Sequence, residues 1–284
     1  MPSILNTVRD LERLRQIVSV LARHGFGEVV QRTGLGSLLP GTAKNGDHAT
    51  KLGERVRLVL QDLGPSFIKL GQIMSTRPDL IPEEVVMELK KLQDDVPPAP
   101  FEDIRAQIEA ELGRDLAEVY ETFHEKPLAT ASIGQVHRAT LETPNGVVDV
   151  VVKVQRSGCK DIIERDVDLL YWLARAVERS IPEARLYHPV RVVEEFDRSI
   201  MAELDYVEEA DNCDVFRRNF EGNRGVVFPV VYRDCSSKRV LTLSYLNGHK
   251  IYEAIRNGMS GEVIARRAIQ VIVQQVFEDG FFHA

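Results

Sequence analysis

Apolar residues fall in helical stripes over both ends of this chain and in a pair of valine-rich runs near its middle. Over residues 3–22, Ile4, Leu11, Leu14, Val18 and Leu21 lie at heptad spacing behind Ser3, a capping residue, which predicts a helix. Lys51 to Leu63 reads as a second amphipathic helix closed by Gly64, and Pro65 suits the first turn of a third, SFIKLGQIMSTR. Pro78 and Pro82 end that helix and start the next, Glu83 to Leu92, and Phe101 to Leu112 is a short helix closed by Gly113. Ile133 to Leu141 and Val147 to Val154 are rich in β-branched residues. Pro144-Asn145-Gly146 between them predicts a hairpin, because Asn and Gly accept positive φ cheaply. Beyond it, Ile163, Val167, Leu170, Ala174 and Val177 stripe a helix from Asp161 to Val177. Pro189 opens another, striped by Val193, Phe196, Ile200, Leu204 and Val207 and dense in acid. Val226–Tyr232 and Val240–Tyr245 read as two more strands, followed by helices Ile251–Arg256 and Gly261–Glu278. The last is apolar enough to be buried on most sides.

Gly34 to Asp47 is a Gly-, Asn- and Lys-rich loop, and Asp94 to Pro100 is a stiff, proline-rich linker. They suggest a helical extension over 1–96, a mixed domain over 101–246 and a further helical part over 247–284. With 284 residues, 44% hydrophobic and 28% charged, the chain is long enough for one large or two modest globular domains. A net charge of −7 argues against a broad nucleic-acid footprint. Cys159, Cys213 and Cys235 lie far apart without metal-ligand spacing, as reduced thiols in a cytosolic setting do. The N-terminus lacks the apolar core of a secretory signal, and no window approaches eighteen uninterrupted apolar residues, so no spanning segment is expected. Arg9, Arg13, Arg15 and Arg23 in the first helix form either a solvated face or a basic face able to lie on an anionic membrane.

The chemistry centres on the hairpin. Lys153 stands late in a valine strand, where a buried ammonium is costly unless something anionic meets it. Ahead of the hairpin runs a small-residue loop, Ala129-Thr130-Ala131-Ser132-Ile133-Gly134. Loop, strand, turn and a strand ending V-V-K form the layout of a protein-kinase nucleotide lobe, whose lysine meets phosphates and is held by a glutamate. A kinase loop reads G-x-G-x-x-G, whereas this one holds only Gly134, and Ala131 would be strained if a left-handed conformation were required. Asp205 and Glu209 are four apart and share a helix face, whereas Glu203 and Asp205 point apart on a regular helix. Glu209 is therefore the favoured partner of Lys153, with Glu203 the other candidate. Lys69 and Gln72 share a face, and Gly71 between them costs about 1 kcal/mol in a helix interior, which close approach of another surface would justify. His137 and His283 have no second ligand at metal spacing and read as structural.

Four stretches together resemble the UbiB-type atypical kinase-like family of quinone biosynthesis. Lys69-Leu70-Gly71-Gln72, set in LGPSFIKLGQIMSTRPDLIP, matches its K-x-G-Q motif. Ala129 to Gln135 matches the alanine-rich loop that replaces the glycine-rich one, with Thr130 interrupting the alanines. Val151 to Arg156 matches the nucleotide-lysine strand. Glu203-Leu204-Asp205-Tyr206, followed by Glu209-Ala210 and Asn212, matches the E-x-D element and glutamate helix. The resemblance implies an α+β fold: a protein-kinase-like small lobe of antiparallel sheet plus helix, a helical N-terminal extension, and the first helices of a large lobe. It implies ATP or ADP held by Ala129, Ala131, Ser132, Ile133, Gly134, Lys153 and Glu209, and catalytic positions at Lys69, Gln72, Glu203 and Asp205. Lys69 and Gln72 would lie across the active cleft, where a kinase admits a peptide.

The implied function is support of ubiquinone biosynthesis, as an ATPase or small-molecule kinase. The alternative is a catalytically silent nucleotide-binding scaffold that organises membrane-associated quinone-biosynthesis enzymes. Implied partners are adenine nucleotide, a lipid or quinone precursor, a membrane surface and those enzymes, with no nucleic acid. The family continues with H-x-D where this chain reads His283-Ala284. Catalytic and Mg²⁺-binding carboxylates are thus expected beyond Ala284, and the chain reads as an N-terminal fragment, inert in turnover. Its expected place is cytoplasmic, peripheral to the inner membrane, with the full-length protein anchored by C-terminal helices.

Overall fold

Helix follows helix through the first hundred residues of the computed structural model, which describes residues 8–38, 51–92 and 97–282. Ser3, Ile4, most of the Gly34–Asp47 loop, Asp94 to Val96 and His283 lie outside the described residues. The helices are α1 (Val8–Leu21), α2 (Gly27–Arg32), α3 (Leu52–Leu63), α4 (Pro65–Met74) and α5 (Glu83–Leu89). Then come α6 (Phe101–Leu112), α7 (Leu116–Val119) and the strands β1 (Thr122–Phe123), β2 (Ala129–Thr130), β3 (Gly134–Thr143) and β4 (Gly146–Gln155). The remainder is α8 (Cys159–Ser180), α9 (Pro189–Glu203), α10 (Tyr206–Asn219), β5 (Val240–Ser244), α11 (Ile251–Arg256) and α12 (Gly261–Val273). Among the described residues no helix is long and apolar enough to cross a membrane.

The chain divides into two units, each discontinuous in sequence. The first comprises Met1–Gln107, Pro127–Gln135 and Gln155–Leu204; the second comprises Ile108–Lys126, Val136–Val154 and Asp205–Ala284.

Within the first unit, α4 serves two hydrophobic cores. Phe67 and Met74, seven residues apart, join Leu14, Val18, Leu60, Leu63 and Leu89 in one core. Leu70 and Ile73, on another face, pack against Ile163, Val167, Phe196 and Ile200 in the other. Gly64, at φ 93°, turns the chain directly from α3 into α4, and Pro65 opens α4 as expected. Gly71 faces the first core. A Cβ there would lie 2.8 Å from Leu60 Cδ1 and against Leu92 Cδ1, so the close approach inferred for this glycine is made by α3 and the end of the α5 segment. At Gly53 of α3 the obstacle is backbone, because a Cβ would stand 2.6 Å from the Glu84 carbonyl oxygen.

The second unit is built on an antiparallel sheet in the order β1-β3-β4-β5. Thr143 Oγ1 donates to Gly146 O at 2.7 Å across the hairpin turn, where Gly146 adopts φ 109°. Val150, Val152 and Val154 are fully buried on one face of β4, and Val151 and Lys153 occupy the other. In the register with β5, Lys153 lies opposite Leu241 and Val151 opposite Leu243.

Three expectations need correction. Val226–Tyr232 is extended but is not a strand: it makes one bridge, Val231 to Leu243, because Pro229 has no N–H to extend a ladder. The stripe drawn from Val193 through Val207 belongs to two helices, α9 and α10. Asp205 adopts φ −112°, ψ 95° and accepts the Val207 N–H, which starts a new helix and leaves Val207 exposed. Finally, α12 buries none of its residues; Val263, Ile269 and Ile272 are exposed. An apolar composition predicts burial only where a surface exists to pack against.

Candidate functional site

In the second unit, Lys153 projects from the half-exposed face of β4 toward α10. Its Nζ donates to Glu209 Oε1 at 2.6 Å and Oε2 at 2.5 Å, so one ammonium spans both carboxylate oxygens. The same Nζ lies 5.0 Å from the centre of the Tyr206 ring, a cation–π contact. Tyr206 and Glu209 are three apart on α10 and share a face. Tyr206 and Ala210 bury that helix against Leu241 and Leu243 of β5, with Val151 alongside, and this packing sets the height of Glu209 over the sheet. Burial pushes the thiol of Cys213, one turn further along, above its ordinary value, and the nearby Glu209 carboxylate adds to the shift. The Lys153 and Glu209 side chains remain 29% and 40% exposed, so an anion from solvent can reach the ammonium.

Glu203 lies in the first unit and pairs with Lys69: Nζ and Oε1 are 2.5 Å apart. Eight residues away along the chain from each of them, just beyond α4 and within α9, Arg77 pairs with Glu195 at 2.5 Å. The two ion pairs bracket Leu70 and Ile73 against Phe196 and Ile200, so α4 and α9 run antiparallel with charge at both ends of an apolar contact. Gln72, on the Lys69 face, is half-buried, and its backbone carbonyl accepts Ser75 Oγ at 2.6 Å. Asp205 caps α10 through Val207 N–H at 3.0 Å and lies 4.0 Å from Lys238.

The alanine-rich loop also lies in the first unit. Ala129 is in β2, and the Ala131 N–H donates to Gly134 O at 2.8 Å. Ala131 O accepts Arg156 Nε at 3.1 Å, and Ile133 O accepts the Arg156 N–H at 2.9 Å, so Arg156 staples the loop. Ala131 does not adopt positive φ, so the left-handed strain considered for it is not present. Ser132 is buried, and Ile133 packs in the core with Ile163 and Phe196.

One constellation escaped sequence reasoning. Arg13 Nε and Nη2 donate to the two carboxylate oxygens of Asp166 at 2.8 and 2.9 Å, and Asp166 is almost fully buried. Arg13 also donates to Leu63 O, so it belongs to the interior and not to the solvated face expected of it. The available signal was Asp166 itself, which falls three residues after Ile163 and one before Val167, on the buried stripe of α8. The three cysteines are free. Among the described residues no three His, Cys, Asp or Glu side chains converge as a metal site.

Known proteins resemble this chain along much of its length. Residues 91–284 match the ABC1 atypical kinase-like domain family. A probable protein kinase UbiB from Aliivibrio fischeri is 40% identical over 288 residues, covering 98% of this chain and 52% of the relative. Another from Pseudomonas fluorescens is 45% identical over 237 residues, covering 82% of this chain and 43% of the relative. This chain thus spans about half the length of the curated relatives it matches. Among solved structures, the complex of Rv3197 with erythromycin from Mycobacterium tuberculosis matches with a TM-score of 0.51 and 26% identity, covering 78% of this chain and 54% of that one. The fold is of the kinase-like α+β type.

Proposed function

This chain belongs to the ABC1 atypical kinase-like family, as a UbiB-type member, and from that premise we propose that it binds the phosphates of an adenine nucleotide at Lys153 in the service of ubiquinone biosynthesis. The observation that carries the reading is the Lys153–Glu209 pair. It is an oriented, partly exposed ammonium held by a glutamate on a packed helix, the arrangement phosphoryl-transfer proteins use to seat phosphate. The names of the UbiB relatives support a kinase-like activity and the link to ubiquinone. In this reading the nucleotide supplies the transferable phosphoryl group, while Lys153 neutralises phosphate charge and Glu209 fixes the direction of the ammonium.

The test is thermal unfolding with and without ADP. Ligand at a hundred times its Kd stabilises by about 2.7 kcal/mol, a readily measured rise in Tm. Lys153→Met is expected to abolish that rise while shifting the Tm of the free protein little, because a partly exposed ion pair contributes only about 0–1 kcal/mol. An undiminished ADP response in Lys153→Met would refute the assignment. Steady phosphate release by the complete protein separates an ATPase or kinase from a silent scaffold.

A further inference from the structure

Within the first unit, α8 and α9 form an antiparallel pair. Ile163 and Val167 in the first half of α8 cluster with Phe196 and Ile200 in the second half of α9, whereas Glu178 near the end of α8 meets Val190 at the start of α9. Residues 181–188 join the two helices, and Arg185, Leu186, Tyr187 and His188 at the end of this connection are all exposed. Leu186 is 78% exposed and Tyr187 50%. A single exposed leucine is ordinary, but here an aliphatic and an aromatic side chain stand together beside unbalanced charge. Arg175, Arg179, Arg185 and His188 line one pocket with a single acid, Glu178. That carboxylate is committed to the backbone, because its Oε1 accepts the Val190 N–H at 3.2 Å. Arg185 Nε donates to the Glu178 carbonyl at 2.9 Å, and the Arg175 guanidinium lies 5.6 Å from the centre of the Tyr171 ring. No described carboxylate forms an ion pair with any of the three arginines. Glu183, the acid within the connection, is taken by Arg32. Arg175 and Arg179, four apart, share a face of α8. This tip is therefore locally cationic on a chain whose net charge is −7.

We propose that the tip of the α8–α9 pair docks on an anionic phospholipid surface, with Leu186 and Tyr187 entering the interface and Arg175, Arg179 and Arg185 meeting lipid phosphates. Tyrosine rings settle at headgroup level, and a leucine beside one gains by leaving water. Each guanidinium can meet a phosphate through two N–H groups. An acidic peptide would answer the charge but give Leu186 and Tyr187 nothing to enter, so the apolar pair favours a bilayer. The α1 helix, whose arginines also suggested a membrane face, fits less well: Arg13 is bound to buried Asp166, and Arg23 pairs with Asp62. The contact does not rest on nucleotide binding, since Lys153 lies in the other unit.

The test is flotation of the 284-residue chain with phosphatidylcholine vesicles that contain or lack phosphatidylglycerol. Binding is expected only with phosphatidylglycerol, and it should weaken as salt is added. Each arginine near an anionic surface is worth about fivefold, so Arg175→Ala with Arg179→Ala should weaken binding about 25-fold. Leu186→Ser should weaken it about tenfold. These positions are exposed, so the variants should keep the parent Tm. Leu186→Trp reports the contact directly: its fluorescence should be quenched by vesicles with brominated acyl chains. The natural tryptophan, Trp172, packs against the first core and should be quenched little. Failure to bind phosphatidylglycerol vesicles would overturn the proposal, as would equal binding to phosphatidylcholine alone. Binding that leaves Leu186→Trp unquenched, or that is lost in Arg15→Ala but kept in the Arg175/Arg179 variant, would move the contact elsewhere and overturn it too. Release by inorganic phosphate at constant ionic strength, or equal affinity for a polyglutamate peptide, would replace the bilayer with a soluble anion or an acidic protein.

Discussion

Lys69 of α4 and Glu203, the last residue of α9, form an ion pair 2.5 Å long in the first unit. The lysine side chain is 19% exposed and the glutamate 37%, so the pair is partly screened. Its direct contribution is therefore about 0.5–1 kcal/mol. Lys69→Met and Glu203→Gln should each lower stability by about that much, with a coupling energy near 0.5 kcal/mol in the double-mutant cycle. Strictly additive effects in denaturant unfolding would show that the two charges do not interact in solution.

Arg13 and Asp166 should respond asymmetrically to mutation. The Asp166 side chain is 2% exposed and that of Arg13 is 24% exposed. Arg13→Met strands a buried carboxylate and is expected to cost about 3–5 kcal/mol. Asp166→Asn leaves an arginine that can reach water and should cost less, roughly 1–3 kcal/mol. Replacing both, with Arg13→Met and Asp166→Leu, should recover most of the loss, because no charge remains buried. A double variant as unstable as Arg13→Met alone would rule out stranded charge as the cause.

Two glycines distinguish backbone from side-chain crowding. Alanine is better than glycine in a helix by about 1 kcal/mol, but only where its methyl group fits. At Gly71 the methyl group would meet the ends of leucine side chains, which can move; at Gly53 it would meet the Glu84 carbonyl at 2.6 Å, which cannot. Gly53→Ala should therefore destabilise more than Gly71→Ala, each net by about 1–3 kcal/mol. The reverse order in chemical denaturation would contradict this account of the α3–α5 contact.

His137 makes stability depend on pH. Its ring is fully buried and its Nδ1 donates to His124 O at 2.8 Å. Burial, the larger influence, holds the imidazole below its ordinary 6.5, although the hydrogen bond to His124 acts in the opposite direction. As pH falls below that ordinary value, the unfolded chain takes up the proton first. The stabilisation is fully present above about 6.5 and is lost as pH falls to the lower folded value, with a slope of at most about 1.4 kcal/mol per pH unit. Unfolding of His137→Gln should lack this part of the slope between pH 7.5 and 5. Parallel pH profiles for the variant and the parent would remove His137 from the acid sensitivity.

Local signals carried the secondary structure far. Pro65, Gly113 and Asn145-Gly146 stand at element ends where their backbone preferences place them, and Leu14 and Val18 of the α1 stripe and Ile163, Val167 and Ala174 of the α8 stripe are buried, while Ile17, Val20 and Leu169 were missed. The need of Lys153 for a carboxylate was likewise readable, because a cation on a valine-rich strand demands compensation. Helix spacing favoured Glu209 and left Glu203 open, and the backbone at Asp205 decides between them. Asp205 breaks the acidic helix, so Glu203 stays with Lys69 while Glu209 rises over β4. Long-range complementarity was equally hidden: Arg13 and Asp166 are 153 residues apart, and neither indicates its partner. The same holds for α12, whose apolar residues specify that a surface could cover them but not that one does. Short-range preferences are properties of a few adjacent residues and survive in a linear reading. Pairing and burial belong to surfaces assembled from distant segments, and they come into being only when the chain has folded.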